Sequence, residues 1–295
     1  VRLVLATSGP ADLGFVSPNG GDARAIRLAL ETNQRVIDES TLDDWLPRWT
    51  SPGGSEGQLL DCGSVFHPQS WSGSSVLSVL TLGDDLADLN PVAVIGGGET
   101  VYASPTGLYV ATQVWPTTVW GPDGQPVVSD ETDVPTEQTA IHRFDVAVPG
   151  TTAYQGSGNV PGHVLNQYAM SERNGDLRVA TTVDGGWWGG RPVPMPMPVE
   201  CPDCAASSPA VASDDAATSS DAAAPETTAT DASPPANRSL LTVLRLKGNQ
   251  LEQIGQVDGL GPNEQIQAVR YVEDRAYVVT FRRTDPLYVI DLADG

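Results

Sequence analysis

Along most of the chain, apolar and β-branched residues alternate with polar ones every second position, the period of a strand with one buried face. The runs recur in order. One set reads Ser78 to Leu82, Val92 to Gly96, Glu99 to Ser104 and Leu108 to Val114; a second reads Ala140 to Val146, Thr152 to Gly158, His163 to Glu172 and Asp176 to Val183. A third comprises Leu241 to Leu246, Leu251 to Val257, Gln265 to Val272 and Arg275 to Arg282, and Pro286 to Leu292 restarts the pattern. Each set has four strands, with a Gly-rich turn predicted between its second and third. The Arg173-Asn174-Gly175 step is a strong hairpin signal.

Two stretches break this period. Between Asp22 and Glu39, the residues Ile26, Ala29, Leu30, Val36 and Ile37 share one helical face behind Asp22, which predicts a capped helix. Ser40 or Thr41 then caps a short turn at Leu42 to Leu46, and Pro47 stops it. The stretch 189–237 opens with alternating prolines and continues in Ala, Ser, Thr and Asp with almost no large apolar residue, a composition that predicts disorder. A second loop insertion spans 115–138. With these two loops set aside, Val110, Val179 and Val278 recur at a spacing inside the range of about 40 to 50 residues per blade of a β-propeller. A four-stranded sheet cannot hide its apolar face alone, so such blades stack around an axis.

The predicted class is therefore all-β: a partial β-propeller of about three four-stranded antiparallel blades plus flanking strands, with one helix near 22–39. The chain 1–295 reads as a single propeller domain, with 22–58 a helix-and-linker excursion. Since closure takes at least about four blades, the expectation is an incomplete ring that is marginally stable alone, with any membrane anchor upstream of Val1.

Composition narrows the function. A formal charge of −21 disfavours a nucleic acid partner, which needs clustered Lys and Arg. No apolar run reaches the ~18 residues of a membrane span. The three cysteines, Cys62, Cys201 and Cys204, are too few for a disulfide scaffold or a four-ligand zinc site. One disulfide fits an oxidising compartment, either Cys201 to Cys204 or Cys62 to one of them.

Several motifs resemble chemistry without its context. Gly53-Gly54-Ser55-Glu56-Gly57 matches a nucleophile elbow but lacks the strand before and the helix after the serine, so it reads as a turn. The glycine runs at Gly96 to Gly98, Gly156 to Gly162 and Gly259 to Gly261 lead into no helix and read as turns rather than phosphate cradles. His67, His142 and His163 have no ligand-spaced neighbour, and Asp84, Asp85 and Asp88 lack the EF-hand pattern, so no metal or other cofactor is expected. Asn237-Arg238-Ser239 matches a glycosylation sequon, a pattern common by chance. The adjacent Trp187 and Trp188 between glycine pairs are the strongest binding candidates, since aromatic rings stack on sugars and peptides. Trp115 and Trp120 join them if both loops leave the same face of the propeller.

Ser40 to Trp49, Leu59 to Gly73, Asn159 to Glu172 with Leu177 to Thr182, and Arg275 to Leu292 together resemble the secreted bacterial proteins with a C-terminal β-propeller distantly related to WD40 repeats. That resemblance implies a propeller fold and export to the extracellular space or cell envelope, and it implies no particular activity. The functional expectation is a non-enzymatic scaffold that binds a protein, peptide or glycan partner through its loops. An extracellular polymer-acting hydrolase or lyase with an axial carboxylate pair is the first alternative, and a purely structural surface domain the second.

Overall fold

The computed structural model describes residues 1–7, 13–18, 22–83, 89–114, 137–184, 237–281 and 286–293. Strand β1 (Arg2–Thr7) is followed by the first excursion, which holds helix α1 (Ala23–Glu39), the short α2 (Leu42–Trp45), the hairpin β2 (Arg48–Thr50) and β3 (Glu56–Gln58), and β4 (Val65–Phe66). The predicted cap of α1 is present, with Asp22 Oδ1 accepting from Arg24 N at 3.0 Å; Thr41 is the N-cap residue of α2, its backbone N donating to Asp44 Oδ2 at 2.8 Å. The glycine–serine motif at 53–57 is the turn of the β2–β3 hairpin, closed by Ser51 N donating to Ser55 O, so its turn reading holds. The chain then returns in β5 (Val76–Leu82), which pairs antiparallel with β1 on one side and with β6 (Leu89–Ile95) on the other. These strands form the first blade, and β4 adds to its β6 edge in parallel.

The second blade is the meander β7 (Thr100–Ala103), β8 (Gly107–Val114), β9 (Gln138–Asp145) and β10 (Ala153–Pro161). In the third, β11 (His163–Val164) and β12 (Met170–Arg173) share the outer position beside β13 (Asp176–Val183), followed by β14 (Arg238–Lys247) and β15 (Gln250–Leu260). The last sheet is β16 (Gln265–Val272), β17 (Arg275–Phe281) and β18 (Leu287–Asp291).

These boundaries correct the predicted repeat frame by half a blade. Gly96 to Gly98, Gly162 and Gly261, expected as turns inside a blade, lie at crossovers from one blade to the next, whereas Gly156, Gly158 and Gly259 lie within β10 and β15; Gly162 alone separates β10 from β11. The long stretches that seemed to separate blades instead lie inside them, joining second strand to third: Val114 pairs with Gln138, and Val183 with Arg238. Both predicted insertions, 115–138 and 189–237, fall outside the described residues apart from their closing positions.

Period-two alternation shows why the sheets stack. On β8, Leu108 and Val110 face the first blade and meet Leu77, Val79 and Val94 there. Their neighbours Tyr109 and Ala111 face the third blade and meet Met170, Leu177, Val179 and Leu244. From the third blade's other side, Ala180, Leu241 and Val243 pack on Ile266, Ala276, Val278 and Ile290 of the last sheet. Every blade boundary therefore holds its own apolar core, and each fully buried Leu, Val or Tyr contributes about 1.5 to 3 kcal/mol. The fourth strands β10 and β15 meet at a parallel bridge, Ser157 to Gln250. This close approach requires glycine at 156, because a Cβ there would lie 2.1 Å from Asn249 O.

Candidate functional site on the insertion face

Strand direction sorts the loops onto two faces. Second-to-third connections and blade crossovers open on one face, while first-to-second and third-to-fourth turns close on the other. All three long excursions, 8–75, 115–137 and 184–237, join second strand to third and so leave from the same face. The strands that flank the two tryptophan loops therefore end on the same face. Trp115, Trp120, Trp187 and Trp188 themselves lie outside the described residues, as do Cys201, Cys204, Asp84, Asp85 and Asp88. Cys62 is exposed, at the start of a 3-10 turn.

On this face a cleft of about 430 Å³ opens between the first and second blades, within the size range of small-molecule sites. Its walls are the end of β1, the end of β8, the glycine crossover and the returning segment 71–75. That segment is pinned across two blades: Gln69 N donates to Ser157 Oγ at 3.2 Å, Ser70 Oγ to Asn159 Oδ1 at 2.9 Å, and Gly97 N to Ser72 O at 2.8 Å. Trp71, held between these anchors, is 60% exposed at the cleft wall. Sequence reasoning overlooked this residue. The available signal was a tryptophan set among serines immediately before a fully buried strand.

The polar lining is Thr7, Ser72, Ser75, Glu99, Thr112 and Gln113, without a Lys or Arg. Gln113 N donates to Glu99 Oε2 at 3.2 Å, which fixes the carboxylate at the rim. Beside the cleft the crossover packs closely on Ser72 and His142, which requires glycine at 96, since a Cβ there would lie 2.5 Å from Ser72 Oγ and 2.7 Å from His142 Nε2. His142 is fully buried and neither ring nitrogen has a hydrogen-bond partner among the described residues. Burial pushes its pKa down to about 4, so the imidazole is neutral at neutral pH.

A second polar group sits between the second and third blades. Glu137, at the residue before β9, His163, which opens β11, and Asp184, which follows β13, bring their ligand-type atoms within 4.8 Å of one another. The amide of Gln113 donates to Glu137 Oε1, His163 Nδ1 lies 3.0 Å from the same oxygen, and Gln265 Nε2 donates to Asp184 Oδ1 at 3.0 Å. A polar chain thus crosses the insertion face from the cleft to the last sheet. The three histidines do not converge: His67 is exposed, His142 is buried beneath the cleft, and His163 belongs to this acidic group.

Radially stacked antiparallel meanders with a loop-rich cleft face define the class as a β-propeller. The family model described as Beta propeller domain matches residues 13–295, and the chain belongs to that family. It is 30% identical over 158 residues to an uncharacterized protein of Archaeoglobus fulgidus, a match covering 54% of this chain and 16% of that protein. An uncharacterized protein of Methanocaldococcus jannaschii is 33% identical over 136 residues, covering 46% of this chain and 14% of that one. These matches span only a small part of either archaeal protein. Among solved structures, cobalt-substituted Synechocystis apocarotenoid oxygenase is similar over 76% of this chain and 43% of its own, at 11% identity and a TM-score of 0.32. A mutant of the same oxygenase gives a TM-score of 0.31 at 11% identity, covering 84% of this chain and 53% of its own. Similarity at that level carries no argument about chemistry.

Proposed function

We propose that this propeller is a binding domain that takes a neutral glycan in the cleft between its first two blades. One observation carries the reading: Trp71 presents an exposed indole from a backbone pinned on both sides, over a lining of hydroxyl, amide and carboxylate groups. A sugar offers that surface an apolar ring face for the indole and hydroxyls for the polar lining. Because Glu99 is the only charged group among the described lining residues, with no described cation beside it, an anionic ligand would meet uncompensated repulsion. The same count speaks against glycoside hydrolysis in this cleft, which takes a pair of carboxylates. Such a domain belongs outside the cell or on its envelope, as the resemblance to exported propellers implies, and fractionation of the native host tests that placement. No helix among the described residues is long and apolar enough to cross a membrane.

The test is a glycan array probed with the folded full chain, followed by titration of the best neutral oligosaccharide. Trp71→Ala is expected to weaken binding at least tenfold, about 1.4 kcal/mol, without changing the circular dichroism. Binding unaffected by Trp71→Ala, or confined to acidic glycans, overturns the proposal.

A further inference from the structure

We propose that Glu137, His163 and Asp184 bind a single divalent transition-metal ion of the zinc class, which clamps the stems of the two insertions at 115–137 and 184–237. This proposal does not rest on the glycan reading. Its basis is a set of three donors brought from separate parts of two adjacent blades, whose ligand atoms all lie within 4.8 Å of one another. His163 Nδ1 and Glu137 Oε1 are 3.0 Å apart, close to the separation of about 3.3 Å between neighbouring ligands of a tetrahedral ion with bonds near 2.0 Å.

Charge strengthens the case. Glu137 is only 8% exposed, and its sole ionic partner among the described residues is His163, while Asp184 joins no described ion pair. A carboxylate withdrawn from water needs a compensating cation. The sequence offers little: the insertions that begin or end at these residues contain one basic side chain, Arg191. A bound cation would supply the missing charge.

The surrounding groups have the form of an outer ligand shell. Gln113 donates to the Glu137 carboxylate and Gln265 to that of Asp184, which orients both toward the shared centre as amide donors do around protein metal sites. An imidazole with two carboxylates favours zinc or manganese over calcium or magnesium, which prefer all-oxygen shells. Three protein ligands leave a tetrahedral ion one position for water. The clamp would tie the second blade to the third where both insertions emerge.

The experiment uses the full chain stripped with chelator, with zinc chloride titrated by calorimetry and cobalt(II) as a spectroscopic probe. One ion per chain is expected, with tetrahedral-type cobalt absorption in the visible and a higher melting temperature with zinc. His163→Gln and Asp184→Asn should each weaken zinc binding at least tenfold and abolish the thermal shift. Circular dichroism of both variants shows whether they fold, and a Cys201→Ser, Cys204→Ser double variant controls for thiol binding. Zinc binding that survives the histidine and aspartate substitutions but disappears in the cysteine variant overturns the proposal. So does the absence of zinc binding to the folded wild-type chain.

Discussion

The two faces of this propeller use polar residues in opposite ways. On the tight-turn face, every blade boundary is crossed by charge. Arg2 of the first blade donates to Thr152 Oγ1 at 3.0 Å and to the carbonyls of Val148 and Thr151 in the second blade's last turn. Glu172 of the third blade accepts from Ser104 and Thr106 in the second blade's first turn and lies 3.7 Å from Arg143. Arg178 of the third blade donates to Glu273 O at 2.6 Å and stacks 4.9 Å above Tyr271 of the last sheet. On the insertion face the boundary between the first two blades opens into a cleft, and the next holds an acidic cluster with no arginine among the described residues. Among the described residues, arginine contacts between blades are concentrated on one face, while the other joins its blades through hydroxyl, amide and backbone groups and carries the long insertions and the site.

That contrast can be tested by weakening each face in turn. The largest effect is expected from Glu172→Ala. Its carboxylate is 5% exposed, and removing it strands the buried Arg143 guanidinium, so denaturant midpoints should report a loss of about 3 kcal/mol or more. The buried His142 should respond next, through acid. His142 has a pKa of about 4 when folded and an ordinary value of 6.5 when unfolded, so the unfolded chain binds the extra proton between those limits. Stability is then complete above about pH 6.5 and falls by up to about 3 kcal/mol as pH drops toward 4. His142→Leu should remove that part of the slope while the carboxylate-dependent part persists.

Smaller effects follow at the remaining positions. Arg178→Met keeps the packing over Tyr271 but loses the donors to Glu273 O and Ser171 Oγ, a change of about 2 kcal/mol in the same unfolding assay. Shortening the insertion between Val183 and Arg238 to a four-residue hairpin that keeps Asp184, assayed without zinc, should raise stability by up to about 2 kcal/mol, because those two residues already face each other in register and a short loop costs less to close than a long one. A large loss there would mean that the insertion face also holds the blades together.

The sequence revealed strands more readily than blades. Alternation located β5, β8, β13, β14 and β17 because Val, Leu and Ala make up most of their buried positions, with Thr and Ser filling much of the rest. The helix was equally legible from Asp22 and its apolar stripe. The frame was not, since a one-residue crossover at Gly162 looks locally like a turn, and a long insertion between paired strands looks like a boundary. Only hydrogen bonding across the insertion, such as Val114 to Gln138, distinguishes the two cases. The site was less legible still. Trp71 owes its role to anchors on Ser157 and Asn159 in another blade, and Glu137, His163 and Asp184 meet only because two blades stack. A tryptophan pair in a glycine-rich loop can be seen in one dimension; convergence of three single residues cannot.

Hydrogen–deuterium exchange of the full chain, with and without the best neutral oligosaccharide from the array, tests the division of labour most directly. Slower exchange is predicted at 69–75, 97–99 and 111–114, with no change at the turns 104–106, 146–152 and 174–175. Protection centred on those turns, with the cleft segments unaffected, would contradict it.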